Sequence, residues 1–119
     1  MRDQWIRRSD GFLIMYAIDI LTSFVGLDNY FESLQVVKDK RPNELPVVVV
    51  GNKADVDPSS RRISYEQGLE KAKSINANFF EASAKTCANV TESLHSLVKK
   101  MKMVQNGGEK KKFSLCILL

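Results

Sequence analysis

Little in this sequence suits metal or nucleophilic catalysis. It has one histidine, His95, which falls off the apolar stripe of its predicted helix. With no partner set for a metal or a catalytic pair, His95 reads as a surface residue. The two cysteines, Cys87 and Cys116, form no disulfide framework, which fits a reducing compartment such as the cytosol. Cys87 reads as a small packing residue. No window approaches the roughly 20 apolar residues of a membrane span. The opening Met1-Arg2-Asp3-Gln4-Trp5 lacks the apolar stretch of a signal peptide.

Net positive charge is also lacking until the end of the chain. Residues 1–98 hold 12 Lys and Arg against 13 Asp and Glu, whereas residues 99–119 hold six Lys and one Glu. The net charge of +4 therefore belongs to the C-terminal segment. A nucleic-acid surface would spread Lys and Arg over the fold with aromatics between them. A basic block beside the C-terminus points instead to an anionic membrane surface.

Three short apolar segments are present. Gly11–Ile18 reads as a buried strand, Pro46 opens a second through Val50, and Asn78–Ala82 reads as a third. Between the first two, Leu27, Tyr30, Phe31, Leu34 and Val37 recur at helical spacing, with Thr22 or Ser23 as the expected cap and Arg41-Pro42-Asn43 as the stop. Ser64 with Gln67 forms an expected capping box for a helix that faces Leu69, Ala72 and Ile75 inward. Asn89 with Glu92 starts a last helix carrying Val90, Leu94, Leu97, Val98 and Met101. The intervals between strands, 19–45 and 52–77, are long enough for crossover helices, so the sheet is expected to be parallel. Three strands make a thin sheet, and Phe12–Ile18 is too apolar for an open edge. The polar Met1–Asp10 offers no strand to cover it, so the fold reads as incomplete at its N-terminus.

The chemistry concentrates where strands end. Val47-Val48-Val49-Val50-Gly51 runs into Asn52-Lys53-Ala54-Asp55. In open α/β sheets ligands sit outside the carboxyl ends of strands. Asp55 supplies two acceptor oxygens, which match the adjacent N–H groups at guanine N1 and N2 and not the adenine edge. Asn52 carries both donor and acceptor, and the Lys53 stem can lie along a purine face. The alternative is a polar turn. The third strand runs into Ser83-Ala84-Lys85, a loop that can bring a backbone N–H to guanine O6 while Ser83 holds the Asp55 carboxylate. Taken alone, that loop also reads as a helix cap. The pairing of the two loops favours base recognition.

The chain ends Lys110-Lys111-Lys112-Phe113-Ser114-Leu115-Cys116-Ile117-Leu118-Leu119. A Cys fourth from the end followed by aliphatics is a prenylation signal, and terminal Leu favours geranylgeranyl. One lipid chain binds membranes marginally, and Lys110, Lys111 and Lys112 supply a second attraction to anionic lipid. The alternative is a frayed apolar end with a solvated charge run.

Together these residues resemble a Ras-type small GTPase, nearest the Ras/Rap branch. Met1–Asp10 resembles the end of the second switch region and its helix. The Asn-Lys-x-Asp and Ser-Ala-Lys motifs follow what resemble the fifth and sixth strands. The resemblance implies an α/β fold, a P-loop NTPase-like parallel sheet with flanking helices, N-terminally truncated to three strands and three helices. Residues 1–105 would be a partial small GTPase domain, and residues 106–119 a flexible polybasic tail with a prenylation box. By the same resemblance Asn52 would contact the purine and brace neighbouring loops. Lys53 and Lys85 would flank base and ribose, Asp55 would select guanine, and Ala84 would give its N–H to O6. GTP and GDP would be the ligands, effector and exchange proteins the partners, and the cytoplasmic face of the plasma membrane the location.

No G-x-x-x-x-G-K-[ST] occurs in the 119 residues, nor Asp-x-x-Gly, the switch threonine or the water-orienting glutamine. Phosphate and Mg²⁺ contacts come from those parts. The residues present are therefore expected to carry no hydrolysis and at most weak nucleotide affinity. Two alternatives remain: a prenylated, non-enzymatic interaction protein, and an unrelated flavodoxin-like domain.

Overall fold

The computed structural model describes residues 2–38, 46–53, 55–83, 90–104 and 115–118. The elements are α1 (Arg2–Arg8), β1 (Gly11–Ala17), α2 (Leu21–Val25), α3 (Leu27–Lys38) and β2 (Val47–Asn52), then α4 (Tyr65–Ser74), β3 (Asn78–Glu81), α5 (Val90–Val104) and β4 (Leu115–Leu118). A 3₁₀ turn, Pro58–Ser60, precedes α4, with Asp57 accepting from the Ser59 N–H.

All strand pairs are parallel and the sheet order is β3-β2-β1-β4. The apolar runs of β1 and β2 have a simple cause: both strands are covered on both faces. Phe12, Ile14, Tyr16 and Ile18 pack with Val47 and Val49 against Ile6, Leu27, Phe31, Leu34, Ile63, Ala72 and Ile75. Leu13, Val48 and Val50 pack on the other face against Leu97 and Met101 of α5, with Ala82. The apolar stripe of α3 is as the spacing predicts, with Leu27, Phe31 and Leu34 buried and Tyr30 and Val37 half-buried. On α4, Ala72 is buried and Leu69 half-buried, with Ile75 buried just past its end; on α5, Leu97 and Met101 are buried and Leu94 and Val98 half-buried. His95 is exposed.

The capping box of α4 forms in both directions. Ser64 Oγ accepts from Gln67 N–H at 3.1 Å, and Gln67 Oε1 accepts from Ser64 N–H at 2.8 Å. The expected cap at Thr22 or Ser23 does not form. The first helical turn starts earlier, at Leu21, with Ile20 at the cap position and no side-chain cap bond. Ser23 instead accepts from the Ala17 N–H (2.9 Å) and donates to the Ile20 carbonyl (2.6 Å). Its hydroxyl thus serves the end of β1, where a strand leaving its ladder needs a substitute partner. The expected stop at residues 41–43 and the cap at Asn89 lie outside the described residues, as does Cys87.

The largest departure from the sequence expectation is at the edge of the sheet. The three strands expected from residues 11–82 are present, but β1 does not lie open. Leu115–Leu118, placed by the sequence in a flexible tail, pairs with Gly11–Ile14 as a fourth strand. The physical reason is the edge itself: β1 carries a row of backbone donors and acceptors beside apolar side chains, and Leu115–Leu118 is an apolar segment able to pair with it.

Candidate functional site

Parallel strands bring all their carboxyl ends to one side, and the polar residues of β1, β2 and β3 meet there. β2 ends at Asn52, and the next residue, Lys53, adopts φ 67°, the left-handed region that residues with a Cβ rarely occupy. Two bonds hold this turn. Asn52 Oδ1 accepts from the Lys53 N–H at 2.8 Å, and the Lys53 carbonyl accepts from the Val56 N–H at 3.0 Å. The Lys53 ammonium lies 3.6 Å from Oδ1 of Asp19, just past the end of β1.

The third strand enters through its backbone. The Ala82 N–H donates to the Gly51 carbonyl at 2.8 Å, extending the β2–β3 ladder by one step. This sets Ser83, 1% exposed, beside the turn after β2. Its hydroxyl donates to Asp55 Oδ1 at 2.6 Å. A charge-assisted bond of that length restricts the carboxylate's orientation. Of the six residues that the sequence assigns to base recognition, Asn52, Lys53, Asp55 and Ser83 therefore share one end of the sheet. Ala84 and Lys85 lie outside the described residues, as do Lys110, Lys111 and Lys112. Cys116 is described only by its backbone, in β4.

Beneath this edge lies an arrangement that the sequence does not disclose. Gly51 follows four valines because Tyr16 leaves no room for a side chain: a Cβ there would lie 2.8 Å from the Tyr16 hydroxyl and 3.1 Å from Ile18. Tyr16 stacks on Phe79 at 6.4 Å between centroids and meets Phe24 edge-on at 5.1 Å. Its hydroxyl is buried, with no hydrogen-bond partner among the described residues. Burial pushes the phenol well above its ordinary range, and the nearby Glu81 charge adds to this. Glu81 takes a two-pronged bond from the Arg61 guanidinium, which holds Arg61 above its usual range. Arg61 Nε donates to the Ile63 carbonyl at 2.7 Å, and the Arg62 and Ile63 N–H groups both donate to the Ile18 carbonyl. The connection after β2 is thereby tied back onto the end of β1.

Sequence reasoning does not single out Asp19 or the Arg61–Glu81 pair. Asp19 carried a usable signal, as the first charged residue after a buried strand. Arg61 and Glu81 stand twenty positions apart with no periodic relation, so only the fold pairs them. Among the described residues, no group of three or more His, Cys, Asp or Glu is placed to hold a metal. No helix among them is long and apolar enough to cross a membrane.

A sequence model of the Ras family matches residues 1–103. The chain belongs to the Ras family. Its Ras-like relatives include Ras-like protein 1 of Saccharomyces cerevisiae, 44% identical over 110 residues, covering 92% of this chain and 34% of that protein. Ras-like protein rasC of Dictyostelium discoideum is 42% identical over 102 residues, covering 86% of this chain and 53% of that protein. Ras-like protein rasS of the same organism is 38% identical over 109 residues, covering 92% of this chain and 55% of that protein. The chain thus spans between about a third and about half of the length of these curated relatives. Ras-family membership removes the flavodoxin-like alternative, and the parallel sheet with flanking helices agrees with it.

Proposed function

We propose that residues 1–119 carry the base-reading part of a guanine-nucleotide switch together with its membrane anchor. The observation that supports this best is the 2.6 Å bond from Ser83 to Asp55, because it joins the two loops that the base-recognition reading requires to converge. Asp55 presents acceptor oxygens to guanine N1 and N2, Asn52 braces the turn, Lys53 and Lys85 flank base and ribose, and the Ala84 N–H meets O6. GTP and GDP are the ligands in this reading. Cys116 takes a geranylgeranyl group, and Lys110–Lys112 attract the anionic cytoplasmic leaflet of the plasma membrane. Effector and exchange proteins are the protein partners. The phosphate loop and the Mg²⁺-binding hydroxyl are not among these 119 residues, so hydrolysis is not assigned to them.

A second reading, a prenylated interaction protein that performs no hydrolysis, is favoured by the fourth strand. With β4 in place, the β1 edge of the sheet is covered by the chain's own backbone.

Titration of the 119-residue chain with GDP and ADP, followed by amide chemical shifts, tests the first reading. Weak binding of GDP, near the millimolar range, is expected, with shifts centred on Asn52–Asp55. It should not require Mg²⁺, and Asp55→Ala should abolish it. Equal responses to GDP and ADP would overturn the base assignment. Tight, Mg²⁺-dependent binding would overturn the division of labour between base and phosphate contacts.

A further inference from the structure

The connection between β2 and α4 carries a charge pattern that base reading does not use. Arg61-Arg62-Ile63-Ser64 places two guanidinium groups three and two positions before a hydroxyl. Arg62 is exposed and Ser64 half-buried, while Ile63 between them is fully buried. The backbone is extended at both ends of this stretch, at Arg61 (φ -70°, ψ 131°) and at Ser64 (φ -73°, ψ 161°). The Ser64 hydroxyl accepts from the Gln67 N–H at 3.1 Å, a bond that an ester oxygen on the same side chain can also accept. The Arg61 guanidinium lies beside this residue. Its Nε donates at 2.7 Å to the Ile63 carbonyl, which belongs to the peptide bond leading into Ser64. Its other two nitrogens grip Glu81, the last residue of β3.

We propose that Ser64 is a phosphoacceptor for a protein kinase that reads two arginines, and that its phosphate takes Arg61 away from Glu81. A kinase groove with acidic subsites recognises Arg-Arg-x-Ser by charge complementarity. In the transfer a bond forms between Ser64 Oγ and the γ-phosphorus of ATP. The bond from that phosphorus to its leaving oxygen breaks, and ADP departs with the electron pair. The hydroxyl proton passes to the kinase's catalytic carboxylate. To enter the groove, the segment releases Arg61 from Glu81, and the Arg62 and Ile63 N–H groups from the Ile18 carbonyl. This is a local opening that leaves the sheet paired. After closure the phosphate, with a charge of about -1.5 to -2 at pH 7, outcompetes a single carboxylate for the guanidinium fork. Glu81, its side chain 14% exposed, then loses a partner that offset its burial. Two residues further on, Ser83 holds Asp55, so a loosened end of β3 weakens that support. Phosphorylation therefore lowers guanine affinity. This last step rests on the base-reading proposal above, and the modification itself does not.

The full chain is incubated with MgATP and the catalytic subunit of cyclic-AMP-dependent protein kinase, beside a synthetic peptide of residues 57–68, and the product is located by peptide mass mapping. Phosphate on Ser64 of the chain is expected. Arg62→Ala, which leaves the Arg61–Glu81 pair in place, should slow the transfer by about tenfold or more. Ser59, Ser60 and Ser114, the last of them behind Lys111-Lys112, are internal competitors. Phosphate on these and not on Ser64 would overturn the site, as would a chain left unmodified, whether or not the peptide reacts. Urea unfolding then reads the change of partner. Glu81→Gln should lower the midpoint of the unmodified chain and change that of the phosphorylated chain little, because Arg61 no longer serves Glu81 there. Equal losses would overturn the transfer of Arg61. Should Glu81→Gln not fold, the Arg61 Nε–H chemical shift of the parent decides, and a shift unmoved by phosphorylation would overturn it. GDP should bind the phosphorylated chain about fivefold more weakly than the unmodified one. Equal affinities would overturn the coupling. No GDP response from the unmodified chain would overturn the base-reading proposal and the coupling with it, while mass mapping and unfolding still decide the modification.

Discussion

Ser83, at the exit of β3, donates a 2.6 Å hydrogen bond to Asp55, 28 positions earlier in the turn after β2. The bond can form because the parallel ladder continues one step past β3, from the Ala82 N–H to the Gly51 carbonyl. Ser83 is buried and Asp55 exposed, so the bond fixes a solvent-facing carboxylate from below.

Ser83→Ala removes that donor. The expected loss is about 1 kcal/mol in urea unfolding, below the usual ~1.5–3 kcal/mol for a bond to a charged group because Asp55 reaches solvent. The same variant should weaken the GDP-induced shifts at Asp55, and Ser83→Thr, which keeps the hydroxyl, should restore them. Unchanged shifts in the Ala variant would show that the carboxylate needs no such support.

Tyr16→Phe is expected to stabilise the protein, which is unusual for a buried aromatic. The Tyr16 hydroxyl is buried without a partner among the described residues, and removing it lifts a desolvation cost of about 1 kcal/mol while keeping the contacts with Phe24 and Phe79. The pH dependence has a definite sign. The folded phenol titrates above its unfolded value of 10.0. The folded state therefore holds the proton longer, and stability present below pH 10 declines as pH rises past it. Urea midpoints between pH 8 and about 11.5 should fall more steeply for the parent chain than for Tyr16→Phe.

Gly68→Ala tests how α4 docks. A Cβ at Gly68 would overlap the Tyr16 hydroxyl and the Phe79 ring. Helix propensity alone favours Ala by about 1 kcal/mol, but overpacking a close contact typically costs about 1–3 kcal/mol. The sum is expected to be destabilising in thermal or urea unfolding. In a Tyr16→Phe background the penalty should shrink, because one of the two overlapping groups is gone.

Much of this was legible in one dimension. Four valines before Gly51 mark β2, the spacing of Leu27, Phe31 and Leu34 marks the buried stripe of α3, and Ser64 with Gln67 marks the start of α4. These are local signals, set by periodicity and by hydrogen bonds spanning three residues. The site was legible to the extent that its groups follow strands. Asn52 ends β2, Lys53 and Asp55 follow it, Ser83 is the first polar residue after β3, and parallel pairing sends both exits to the same side.

The amino-acid order by itself therefore determined the strands, the faces that they bury and the polar turns at their ends. The tertiary structure decided which distant groups meet. Lys53 reaches Asp19, Arg61 grips Glu81, and Tyr16 leaves room only for glycine at positions 51 and 68. It also decided that Leu115–Leu118 covers β1. No local pattern encodes these pairings. Each depends on which partner the packed sheet leaves within reach of an unpaired charge, a buried ring or an open backbone edge.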